Sequence, residues 1–131
     1  MNYSIDKDPN RTLTLILYVL YIIAIFTGGL LAIVALIINY IKRSDVRGSV
    51  FESHFTWQIR TFWWYLIWTI IAVVPFLFLF FTGENPNLFA GVALGASGFF
   101  VAVVFLAWIW IVYRAIKGIV RLNDNLPMYT D

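Results

Sequence analysis

Cysteine is absent from the 131 residues. That absence excludes a disulfide framework, a thiolate metal site, a cysteine nucleophile and a lipidated thiol, and it leaves the redox compartment unreadable. Charge is scarce too. Only 12% of residues are Asp, Glu, Lys or Arg, while 62% are apolar and the mean hydropathy is +0.85. A water-soluble domain carries roughly a quarter of its residues charged, so this chain could not solvate its own surface, and lipid is its natural solvent. There is one histidine, which leaves only carboxylates to complete a zinc shell. No Walker loop, GxGxxG or HExxH occurs. Ser53 is the sequence neighbour of His54, and that adjacency does not give the facing geometry a general base requires. The expectation is a non-enzyme with no metal and no cofactor.

The charges that do occur are placed with a bias. Nine Lys and Arg against seven Asp and Glu give a net +2. Seven of the nine cations sit in two short stretches, 42–60 and 114–121, beside hydrophobic runs. There they set topology and meet anionic headgroups; no basic surface of the extent used for nucleic acid is present. No charged residue and no histidine lies within 12–41, 61–81 or 88–113. Proton and cation relays place such groups near the bilayer centre, so a pump or coupled transporter is disfavoured. The N-terminus carries Asp6 and Asp8 and shows no small-residue cleavage site after a short apolar core, so the first hydrophobic segment is expected to stay in the protein.

These runs predict an all-α integral membrane protein with about four membrane helices and an interfacial amphipathic helix, in a single membrane domain. Residues 1–11 read as a polar tail. Residues 12–41 form thirty uncharged positions; an unbroken helix would reach about 45 Å, past a hydrocarbon core of about 30 Å. Two adjacent glycines at Thr27-Gly28-Gly29 are the natural break, giving a helical hairpin whose buried turn must satisfy its own backbone groups. Phe51, Phe55, Ile59 and Phe62 recur at helical spacing, so 42–60 should hold an interfacial helix with its apolar side in the headgroup boundary. Residues 61–81 form a span kinked at Pro75, 82–87 a loop, and 88–122 a span with a cytoplasmic extension. The loop holds Glu84 and no cation, which puts it outside and both termini in the cytoplasm. Two inside ends require 12–41 to cross an even number of times, although the composition alone is compatible with one crossing, two or a re-entrant loop. All six tryptophans, at 57, 63, 64, 68, 108 and 110, fall near the cytoplasmic ends of the last two spans, with Trp68 deep enough to pack between helices.

Three groups of residues are candidate sites. Glu52, His54, Gln58 and Arg60 form the one stretch rich in functional groups; His54 and Gln58 share a helix face and Glu52 does not. They read either as polar side chains satisfying one another at the interface or as a working site for a lipid headgroup. Arg114, Lys117 and Arg121 lie on one face as a topology anchor or a headgroup-binding stripe, and Gly118 allows a close contact beside Lys117. Gly91, Gly95, Gly98 and Ala102 form a small-residue stripe suited to close helix packing, either within the chain or with a second copy or a partner.

The segments LYVLYIIAIFTGGLLAIVALIINYIKR, ESHFTWQIRTFWW and YRAIKGIVRLNDNLPMY, covering roughly residues 12–129, resemble a family of small bacterial inner-membrane proteins, the DUF4870 or Tic20-like group. The resemblance implies a four-helix membrane fold in a bacterial inner (cytoplasmic) membrane and offers no catalytic residue. The association of Tic20 with protein import into chloroplasts does not transfer on fold alone. The expected function is a non-catalytic accessory or scaffold subunit acting through helix packing, its partners membrane lipids and either a second copy or another membrane protein. The alternative is a passive channel or translocation component built from several copies.

Overall fold

The computed structural model describes residues 7–129; within them it is all helical, with no strand. Among the described residues three helices are long and apolar enough to cross a membrane: Pro9–Thr27, Val50–Phe81 and Pro86–Asn123. The chain divides into two compact units, one of Met1–Phe62 with Ile111–Asp131, the other Trp63–Trp110.

Helix α1 (Pro9–Ile23) opens where Asp8 Oδ1 accepts the Asn10 N–H at 2.9 Å and Pro9 occupies the first turn, where its missing N–H costs nothing. The helix therefore starts three residues before the uncharged run. Its last turn tightens to 3₁₀ over Ala24–Thr27. Gly28 and Gly29 then take left-handed backbone, φ 64° and 95°. The Gly29 N–H donates to the Ala24 carbonyl at 2.9 Å and that of Gly28 to Ile25 at 3.4 Å, the paired bonds of a Schellman stop. Thr27 Oγ1 donates to Ala24 O and accepts from the Leu31 N–H. The turn thus meets its backbone requirement by itself, and α2 (Leu30–Lys42) folds back along α1.

Helix α3 (Val50–Val73) carries the first correction. The apolar side of its N-terminal half, expected in the headgroup boundary, is turned into protein instead: Phe51, Phe55 and Ile59 are buried. The periodicity marks the face as apolar, and the hairpin offers hydrogen-bond partners in fixed geometry beside it, Tyr18 to His54 and Asn39 and Thr14 to Gln58.

A second difference lies at Pro75, where the sequence predicts a kinked α-helix. The α-helix ends at Val73 and a 3₁₀ helix, Val74–Phe81, continues it; proline removes one backbone donor and crowds the carbonyl four residues before it, and i to i+3 bonding accommodates both. Trp68 is 44% exposed rather than packed between helices.

Helix α4 (Pro86–Asn123) begins inside the expected loop. Asn85 Oδ1 caps it by accepting from the Asn87 and Leu88 N–H groups, both at 3.1 Å, with Pro86 in the first turn. Asn125 closes it in left-handed conformation, φ 58°, with Leu126 N–H donating to Arg121 O at 2.8 Å and Asn125 N–H to Leu122 O at 2.9 Å.

Candidate functional site

The inward face of α1 carries Thr14, Leu17, Tyr18 and Tyr21, all buried. On such an apolar helix, hydroxyl groups four and three residues apart form a polar stripe, and two short polar chains grow from it. In the first, Tyr21 donates to Asn39 Oδ1 at 2.8 Å, Asn39 Nδ2 donates to Gln58 Oε1 at 2.8 Å, and Gln58 Nε2 donates to the Thr14 carbonyl at 3.1 Å. This ties α1, α2 and α3 together. In the second, His54 meets the Tyr18 hydroxyl through Nδ1 at 2.6 Å and the Leu126 carbonyl through Nε2 at 2.9 Å. A carbonyl can only accept, so Nε2 carries hydrogen, and a neutral ring accepts the Tyr18 proton at Nδ1.

Of the four residues proposed as one interfacial cluster, the structure gathers two. His54 and Gln58 are 0% and 1% exposed, one turn apart but engaged by different partners. Glu52 is exposed and accepts the Gly48 N–H at 2.9 Å. Arg60 is exposed as well, donating to the Tyr129 hydroxyl at 3.3 Å with its guanidinium 5.2 Å from that ring centre. Sequence reasoning missed Tyr18, Tyr21 and the position of Asn39. The signal available was the 14, 18, 21 spacing of polar side chains on α1, together with Asn39 as the lone amide of an uncharged run.

The basic stripe also divides. Arg114 lies 3.5 Å from the Trp57 ring centre, with Nε on Thr61 Oγ1 at 2.7 Å and Nη2 on the Trp57 carbonyl at 3.3 Å, while Trp57 Nε1 donates back to the Arg114 carbonyl at 3.0 Å. Arg121 donates to the Pro127 carbonyl at 2.7 Å. Lys117 remains exposed, 5.6 Å from the Trp57 ring. Gly118 sits directly against Tyr18. The segment after α4 is drawn over the same region: Met128 N–H donates to Ser53 Oγ at 2.8 Å, Tyr129 stacks edge-on against Trp57, and Arg11 Nε donates to Asn125 Oδ1 at 3.1 Å.

Comparison with protein-family models, curated protein sequences and solved structures finds no match to this chain.

Among the described residues every buried side-chain nitrogen and oxygen has a hydrogen-bond partner. The cavity beside the network, lined by Tyr18, Gln58, Thr61 and neighbours, measures about 10 Å³, room for one water at most. Buried polar groups that each hold a partner, around so small a void, tie the helices of the first unit together. The third group behaves differently. Gly91, Gly95, Gly98 and Ala102 all face outward from α4, and a Cβ added at any of the three glycines meets no atom within 4 Å. Among the described residues, then, the three glycine positions of the stripe have open space around them.

Proposed function

We propose that the chain is a multi-pass protein of a bacterial inner membrane, of the DUF4870 or Tic20-like kind, serving as a non-catalytic accessory or scaffold subunit. One observation carries the reading: a stripe of small residues on α4 whose glycine positions meet no atom of the described residues within 4 Å. In lipid, helices associate through close backbone approach more than through hydrophobic burial, and such a stripe is the surface that permits it. The saturated polar core supports the same reading, since its side chains are committed to holding the first unit together.

The test is purification in native nanodiscs with mass and composition read together. We expect a stoichiometric membrane partner or a closed homo-oligomer, lost in Gly95→Leu. A monomer without a partner, or an assembly indifferent to Gly95→Leu, would overturn the proposal. A homo-oligomer that passes solutes in liposomes would favour the pore reading over the scaffold.

The proposal includes four crossings with both ends cytoplasmic, supported by the charge bias of the flanks. Because cysteine is absent from the natural chain, single cysteines report without background. With an impermeant maleimide on intact cells, Glu84→Cys should label, while Asp45→Cys and Asp124→Cys should label only after permeabilisation. Phe26→Cys, at the 80% exposed tip of the hairpin, should label from outside. Failure of Phe26→Cys alone would replace two crossings by a re-entrant hairpin, and labelling of either aspartate position from outside would invert the orientation.

A further inference from the structure

We propose that Arg60 and Lys117, held around the Trp57 and Tyr129 rings, form a binding site for a phosphate group, supplied by an anionic phospholipid headgroup at the membrane surface. The inference rests on the chain lying in a membrane and is independent of association through α4.

Three observations converge. The first is geometry: Trp57 and Tyr129 meet edge to face with ring centres 5.9 Å apart, Lys117 Nζ stands 5.6 Å from the first ring and the Arg60 guanidinium 5.2 Å from the second. The second is chemistry. Aromatic rings orient a cation without neutralising it, and both residues are exposed. Three of the carboxylates have partners of their own: Asp8 caps α1, Asp45 pairs with Lys42 at 3.8 Å, and Glu52 accepts from Gly48. The third is depth. Arg60 is the last charge before the uncharged run 61–81 and Arg114 the first after 88–113. The reciprocal bonds between Trp57 and Arg114 hold α3 and α4 side by side at that border, which sets the cations at the level of lipid phosphates. Arg114 acts as the positioning residue here: its stacking fixes Trp57, the platform for Lys117.

The experiment follows thermal unfolding of the full chain in neutral detergent micelles doped with phosphatidylglycerol, with phosphatidylcholine, or with inorganic phosphate in the buffer. We expect phosphatidylglycerol to stabilise the protein well beyond phosphatidylcholine. The Arg60→Gln/Lys117→Gln variant should weaken that apparent affinity roughly 25-fold, from about five-fold per cation. Arg60→Lys/Lys117→Arg should retain it, and Lys42→Gln/Arg43→Gln should leave it unchanged, which separates a site from general surface charge. Inorganic phosphate giving equal, variant-sensitive protection would keep the phosphate site but move the source from lipid to a soluble ligand. Equal stabilisation by both lipids, or a phosphatidylglycerol effect untouched in Arg60→Gln/Lys117→Gln, would overturn the proposal.

Discussion

Gly118→Ala should destabilise the protein by about 3 kcal/mol, at the upper end of what overpacking costs. A methyl group at this position lands on the Tyr18 phenol. The ring has nowhere to retreat: Tyr18 is 1% exposed, its hydroxyl is bonded to His54 at 2.6 Å, and the imidazole stands edge-on to it. Moving the ring also breaks that hydrogen bond, worth about a further 1 kcal/mol. Thermal unfolding in a fixed detergent measures the change. A second substitution, Tyr18→Leu, removes the atoms the methyl group meets, so Gly118→Ala should cost far less on a Tyr18→Leu background than alone; additive costs would show that the close approach of α4 to α1 is not what Gly118 provides.

The next largest effect is expected at Asn39. Replacing it by leucine leaves the Tyr21 hydroxyl without its acceptor and Gln58 Oε1 without its donor, both buried. Each orphaned group costs about 1–3 kcal/mol, so Asn39→Leu should lower stability by about 3 kcal/mol. Removing the same chain in concert, as Tyr21→Phe/Asn39→Leu/Gln58→Leu, leaves fewer unpartnered groups and should cost much less than the sum of the three single changes. If the single substitution melts like the natural protein, the hydrogen-bonded chain is not what holds the hairpin to α3.

The consequences for function differ between the two halves of the site. The His54 and Gln58 region is a structural joint, and variants there should change stability and function together. Arg60, Lys117 and the α4 stripe lie on the surface, so their variants should keep stability and change what the protein binds. The sequence placed all of these residues in candidate groups but could not sort joint from surface. His54 and Arg60 are both polar, close in sequence and near a membrane border, and only their partners distinguish them: Tyr18 and Leu126 for one, Tyr129 for the other.

What the sequence by itself determined is local or additive. Low charge and long uncharged runs set lipid as the solvent; paired glycines after Thr27 set the turn; Gly, Asn and Pro crowded into 82–87 set the break before the last helix. Each depends on residues within a few positions, or on composition summed over a helix length, and neither requires knowledge of distant partners. The tertiary structure alone decided that the Phe51, Phe55 and Ile59 face is buried, why Gly118 must be small, and that Gly91, Gly95 and Gly98 have open space around them. Those answers come from contacts between residues such as 18 and 118, a hundred positions apart. Helical periodicity marks a face as apolar or small, but it carries no information on whether protein, lipid or another chain lies opposite.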